Sequence, residues 1–368
     1  MNTPPTLAQV PPPGERFQRL GVSLDPWAES QILFWRKVYT EVSSKEYLVH
    51  DGVNLAHLYR VESSEASARK ARNRISEELK RISKLGPEPI SAERLTPEQV
   101  GLFEALDAIE DPKAYLFASN PDRIRIQTGL KDKLDFAFLI SKRYLKRMRE
   151  IIEEEGVPRE LTLLPFVESA FNQEARSSTG AVGIWQFMPK TATRDLRVTR
   201  SIDERHDPLK STRAAARFLR RNYDQFGNWG LAIMAYHHGP GLVKKAIEKV
   251  GSRDPVVIIK TFKDPNFKFA SRNYLFEFLA MCDVDTAQGS IFAPGQETSL
   301  PPFITVSFQK RVTMQDLAQR YHFNEPMTRI LNPHFRSPIW SNRETIPAHY
   351  PVRLAGITLE EFRRVEYP

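Results

Sequence analysis

Along most of this chain apolar residues recur every three to four positions between short polar breaks, the pattern of a mainly α-helical protein. Residues 31–42 (QILFWRKVYTEV) suit a helix, and Glu46–Glu62 carries a short β-like stretch around the turn Asp51-Gly52. Ser64–Leu85 reads as a charged amphipathic helix with Ile75, Leu79, Ile82 and Leu85 at helical spacing, stopped by Gly86-Pro87. A second long helix is expected from Lys131 to Glu155. Leu134, Phe138, Leu145, Met148 and Ile152 would line one face of it, and Gly156 and Pro158 would end it. The region 158–285 is helical in pattern, with Gly-containing loops at 177–183 and 239–241. Beyond a boundary marked by Pro294, Gly295, Pro301 and Pro302, residues 303–308 read as a strand, 313–321 and 325–331 as short helices, and Tyr350–Leu354 as a closing strand. The expected organisation is a disordered Pro-rich tail at 1–25, an N-terminal helical region at 26–130, a helical domain at 131–290 and a small α+β module at 300–368.

Composition narrows the class without deciding it. Apolar residues make up 41% and charged residues 27% of the 368, the balance of a water-soluble fold, and no apolar run approaches the roughly 18 residues of a membrane span. The formal charge of +8 favours an acidic polymer, either nucleic acid or an anionic cell wall. The basic residues are scattered, without a Lys/Arg tract or interleaved aromatics, and nucleic acid is set aside as a partner. The single cysteine, Cys282 in FLAMCDV, excludes an internal disulfide framework and reads as a small buried hydrophobe. The opening MNTPPTLAQVPPPGERF has neither a charged n-region nor an apolar h-region, and no signal peptide is read there.

Chemistry enters at Pro158–Asn172 (PRELTLLPFVESAFN). Pro158 can open a helix, where its missing N–H costs nothing. Leu161, Leu164, Glu168 and Phe171 then share one face, which places Glu168 with the apolar stripe. A lone carboxylate there is costly unless paired or protonated. Two readings follow: a general acid whose pKa is raised by burial, or a structural carboxylate bonded to a helix terminus or an arginine. The next stretch, Ser177–Ala192 (SSTGAVGIWQFMPKTA), gathers Trp185, Gln186, Phe187 and Met188 behind Gly180 and Gly183. Aromatic faces can stack on sugar rings and an amide can satisfy sugar hydroxyls, while core packing is the plainer use of Trp185 and Phe187.

Six blocks in order over 136–285 carry a resemblance: VESAFN, GAVGIWQFMPKTA, IDERHDP, AAARFL, the Ala235-Tyr236…Gly239 motif and FASRNYLFEFLA. Together they resemble the lysozyme-like domain of the family 1 lytic transglycosylases. The upstream DRIRIQTGL and YLKRMREIIEEEGVPREL resemble the longer members, and residues 303–354, with ILNPHF and YPVRL, resemble a degenerate LysM-like module. The resemblance implies a lysozyme-like helical fold at 131–290 that cleaves peptidoglycan glycan strands, with no metal or organic cofactor, in the periplasm or at the cell surface. It implies that Glu168 is the sole catalytic acid/base and that Ser169 beside it lies in the substrate groove. Gln186, Phe187 and Met188 would form the groove wall, Tyr274 would contact the catalytic carboxyl, and Tyr236 would be the tyrosine of the family's Ala-Tyr-Asn-x-Gly motif. The product expected of the family is a 1,6-anhydro sugar. The alternatives are a hydrolase of the lysozyme type and a non-catalytic wall-binding protein.

One position departs from that pattern: the chain reads Ala235-Tyr236-His237-His238-Gly239, with His237 where the family has asparagine. A histidine is larger, can be charged and offers different hydrogen bonds, and it would shift recognition towards a modified or deacetylated sugar. Other groupings do not build a site. His237 and His238 are adjacent and cannot face one metal as an i, i+4 pair would. Asp203, Glu204 and Asp207 precede a helix, where capping and pairing with Arg205 are expected, and Glu174 is a weak second carboxylate.

Overall fold

The computed structural model of the protein describes residues 16–85, 88–287 and 300–366. The tail expected at 1–25 lies outside these residues up to position 15, as do Gly86-Pro87 and Pro294-Gly295. Residues 16–25 are seated: Phe17, Leu20 and Val22 are buried, and Arg16 pairs with Glu29 at 2.9 Å and Asp283 at 3.2 Å. Three apolar residues at that spacing have enough surface to bury, and the Pro-rich composition ahead of them does not extend to them. The described residues form two compact units, one from 16–136 and 222–287 and the other from 137–221 and 300–366.

In the first unit, α1 (Pro26–Thr40) starts at Asp25, whose carboxylate accepts from Ala28 N. The stretch expected to be β-like around Asp51-Gly52 forms two antiparallel strands, β1 (Tyr47–Asp51) and β2 (Leu58–Glu62). The sequence pattern does not reveal the third strand, β3 (Ile124–Thr128), which pairs antiparallel with β1 and gives the order β2-β1-β3. α2 (Glu65–Ile82), α3 (Pro97–Ala105) and α4 (Pro112–Ala118) cover this sheet through Ile75, Leu79, Ile82, Leu102 and Tyr115.

The long helix expected over Lys131–Glu155 is two, α5 (Lys131–Ser141) and α6 (Leu145–Glu154). The apolar stripe continues across the break, but Tyr144 leaves the helical region at φ −125° and its side chain is buried. Burial of an aromatic ring outweighs the few hydrogen bonds that an unbroken helix would add.

The second unit contains α6, then α7 (Leu164–Ser169), α8 (Pro189–Ala192) and the N-terminal part of α9 (Pro208–Phe226). Arg213 ties α9 to α6 through Glu154 and Glu155, each at 2.8 Å. The α+β module belongs to this unit. β4 (Phe303–Val306) pairs antiparallel with β5 (Val352–Ala355), and Met314–Tyr321, Glu325–Leu331, Ser337–Trp340 and Leu359–Glu366 are helical.

The first unit closes with α10 (Trp229–His238), α11 (Pro240–Val250), α12 (Pro255–Thr261) and α13 (Phe269–Thr286). α13 packs along α1, where Trp35 Nε1 donates to Asn273 Oδ1 at 3.1 Å, and it buries Cys282 as expected. Among the described residues no helix is long and apolar enough to cross a membrane.

Candidate functional site

Glu168 sits on a short helix with an abrupt end. Pro158 precedes a 3₁₀ turn at Arg159–Leu163, which passes directly into α7. The single helical face expected through Leu161, Leu164, Glu168 and Phe171 therefore does not form. Leu161, Leu164 and Phe171 are buried, whereas Glu168 is half-buried. The helix ends because Ala170 and Phe171 both adopt left-handed backbone, at φ 46° and 58°. Such conformations cost about 1–3 kcal/mol each in non-glycine residues. They are held because Phe171 is fully buried, 5.3 Å from the ring of Phe166, which in turn stacks on Phe138 at 4.5 Å. Glu168 thus emerges from the last turn of a helix pinned by an aromatic stack.

Ser169 links this turn to the loop that follows. Its Oγ lies 3.2 Å from the carbonyl oxygens of both Pro165 and Ile184. The loop folds as a tight hairpin, with Val182 and Phe187 exchanging backbone hydrogen bonds at 3.2 Å. Gly183 has φ 79°, and a Cβ there would meet the carbonyl oxygen of Arg205 at 2.0 Å, so only glycine fits. Gln186, also left-handed at φ 47°, donates its amide to Gly183 O at 2.8 Å. Met188 is 40% exposed, whereas Phe187 is buried, which leaves its ring in the core rather than on a sugar-facing surface. Trp185 is fully buried and donates Nε1 to Thr212 Oγ1 at 2.9 Å, so of the two open uses it takes the core one.

Arg205 supplies what the sequence pattern hid. It is buried, its Nε and Nη2 fork onto the Asp203 carboxylate at 2.9 and 2.7 Å, and its Nη1 donates to Gly180 O and Phe187 O at 3.2 and 3.1 Å. Pairing with a neighbouring acid was legible; the two loop carbonyls, 18 and 25 residues away, were not. Asp203 and Asp207 also cap as expected, accepting from Arg205 N, and from Leu209 N and Lys210 N. Glu174 is largely exposed and approaches Arg336 only at 3.9 Å.

The remaining candidates lie in the first unit. Tyr236, half-buried, and His237, exposed, occupy the last turn of α10, and Tyr274 is buried on α13. The His237 ring stacks on Tyr274 with centroids 4.2 Å apart and planes 22° from parallel. Desolvation, followed by the neighbouring His238, pushes the His237 pKa below its ordinary value, so this imidazole is neutral near pH 7 rather than charged. Among the described residues no group of three or more His, Cys, Asp or Glu is placed to hold a metal ion.

The profile of the transglycosylase SLT domain matches residues 149–259, a span that contains Glu168, the hairpin loop and α10. Over this span the chain is similar to the lytic transglycosylases. It is 35% identical over 169 residues to membrane-bound lytic murein transglycosylase D of Escherichia coli, a match covering 44% of this chain and 37% of that one. It is 28% identical over 158 residues to membrane-bound lytic murein transglycosylase C of Glaesserella parasuis, covering 37% and 43%. The match thus spans about two fifths of the length of these relatives. A solved structure of the lytic transglycosylase Slt of Pseudomonas aeruginosa, in an inactive form, aligns with 61% of this chain and 37% of its own at 22% identity and a TM-score of 0.36.

Proposed function

We propose that this transglycosylase cleaves the β-1,4 bond between N-acetylmuramic acid and N-acetylglucosamine in peptidoglycan, with Glu168 as its only acid/base. The position of Glu168 carries the reading: one half-buried carboxylate at the end of a strained, aromatically pinned helix inside the matched domain. Ordinary glycosidases use two carboxylates flanking the bond. Here Glu168 donates its proton to the glycosidic oxygen as the C1–O bond breaks. The resulting carboxylate then takes the proton of the muramoyl C6 hydroxyl, whose oxygen attacks C1 and closes a 1,6-anhydro ring. Neither water nor a second carboxylate is consumed. Ser169, Gln186, Met188 and the backbone of Phe187 would contact the glycan in the second unit; Tyr236, His237 and Tyr274 are proposed glycan contacts of the first unit. The periplasm or cell surface is where such a substrate lies.

His237 refines the substrate. A neutral imidazole offers one donor and one acceptor nitrogen, and its acceptor can receive a hydrogen bond from the ammonium of a deacetylated glucosamine. The exposed, stacked ring supports a preference for modified glycan. The antiparallel pair β4–β5 with helices between its strands supports the LysM-like reading of the C-terminal module, with the short helix Ser337–Trp340 as an addition to two main helices.

Mass spectrometry of digested sacculi tests the reaction. Anhydro-muropeptides are expected, and a hydrolase would instead give products heavier by one water. Glu168→Gln should lose about 10²–10⁴-fold or more in rate while the fold persists. Unaltered activity in that variant would remove Glu168 from its role.

A further inference from the structure

The segment Ser201–Asp207 holds two parts of the second unit at once. On one side it is built into the C-terminal module. Ile202 belongs to the same buried cluster as Phe335, Ile339, Val352 and Leu354. Asp203 N donates to His334 O at 2.8 Å and Arg336 N to Ser201 O at 2.9 Å. Glu204 Oε1 accepts from the Tyr350 hydroxyl at 2.6 Å and from Lys210 at 2.7 Å. Asp207 is fully buried, with Arg353 Nη1 at 2.7 Å and His334 Nδ1 at 2.9 Å from its Oδ2. These are desolvated, multiply bonded charges, in contrast to surface ion pairs, and breaking one leaves its partner buried and unpaired.

On the other side the same segment seats the hairpin loop. The Arg205 guanidinium, fixed by the fork on Asp203, reaches the carbonyls of Gly180 and Phe187, and the Arg205 carbonyl fills the space that Gly183 leaves empty. The loop in turn touches Ser169, the residue next to Glu168, through Ile184 O. Every step of this path from Tyr350 and Arg353 to Ser169 is a hydrogen bond, an ion pair or a backbone contact inside one compact unit.

We propose that residues 300–366 act as a brace for the reactive loop, with Arg205 as the positioning residue at the joint. The module is then a working part of the catalytic domain, whatever it binds itself. A carboxylate misplaced by about 1 Å can lose a hundredfold in rate, which gives such a brace its purpose. The inference rests on the proposed function for its kinetic consequence alone.

The test uses the full chain as wild type, Arg205→Lys, Tyr350→Phe and Glu168→Gln. Amide hydrogen exchange across 180–188 reports the loop without reference to activity. Tyr350→Phe removes only the hydroxyl on Glu204, and exchange at 180–188 should quicken about tenfold, although the substitution lies outside the loop. Arg205→Lys should quicken it further and lower kcat by roughly tenfold to a hundredfold with little change in pelleting on sacculi. Should Arg205→Lys fail to fold, Tyr350→Phe decides alone. Unchanged exchange at 180–188 in Tyr350→Phe, or a loss confined to sacculus binding with kcat intact, overturns the brace. Absence of anhydro products from the wild type would instead remove the proposed function, and the exchange data would still decide the brace.

Discussion

The imidazole of His237 lies nearly parallel to the phenol of Tyr274, 4.2 Å away centroid to centroid. An asparagine at this position would leave that face of Tyr274 uncovered and offer an amide in place of a ring. His237→Asn should therefore move preference back towards fully acetylated glycan, measured as the ratio of cleavage rates on acetylated and deacetylated sacculi. Because the His237 pKa is lowered, this ring stays neutral from pH 5 upward, and the substitution should leave the pH profile between about 5 and 8 unchanged. Equal preferences in the two proteins would sink the idea.

Trp185 lies directly beside the groove candidates Gln186, Phe187 and Met188, yet its ring is inaccessible and its Nε1 is spent on Thr212. Trp185→Phe should lower stability by about 1–3 kcal/mol, through the smaller ring and the lost hydrogen bond to the Thr212 hydroxyl, which keeps Pro208 O as its other partner. KM for glycan should hardly move. A denaturant titration alongside steady-state kinetics separates the two, and a large rise in KM at unchanged stability would return Trp185 to the substrate.

How much of this was legible depended on the reach of each interaction. α1, α2 and the β4–β5 module are set by apolar spacing within their own stretches, and they stand within a few residues of where that spacing puts them. β3 escaped because the alternation in IRIQT spans only five residues and its partner strand β1 lies 73–81 residues earlier. The break at 142–144 escaped because the stripe runs through it and only the burial of Tyr144 explains it. Glu168, Ser169 and the hairpin were readable as residue types in order. The left-handed pair Ala170-Phe171 was not, since neither residue favours that conformation and the aromatic stack that enforces it is tertiary.

The two loop glycines make a matched comparison. Both have positive φ, 92° at Gly180 and 79° at Gly183, so alanine at either costs roughly 1–2 kcal/mol of backbone strain. Around Gly180 there is open space, but at Gly183 the new methyl would run into the Arg205 backbone. Gly180→Ala should be a mild variant with near-normal activity. Gly183→Ala should displace the hairpin from Arg205 and lower both the unfolding midpoint and kcat. Equal behaviour of the two variants in thermal melts would show that the close approach at Gly183 carries no weight.

Asp207 sets the response to acid. Burial alone would raise its pKa, but Arg353 and then His334 hold it well below the usual carboxylate range. A folded-state pKa below the unfolded one contributes stability that is present above the unfolded value, 3.8, and is lost as pH falls below it. His334 adds to the same direction, since burial lowers its pKa and protonation below about pH 6.5 favours the unfolded chain. Glu204, which burial alone would raise, is likewise held low by Arg197 N, Lys210 and Tyr350, and it loses those bonds in acid. Unfolding free energy should therefore fall from pH 7 to pH 3. Asp207→Asn should start about 1–3 kcal/mol lower at pH 7, because the partly buried Arg353 loses its counter-charge, and should show a shallower decline below pH 4. Denaturant titrations of both proteins at pH 7, 5 and 3 measure this, and parallel declines would exclude Asp207 as the titrating group.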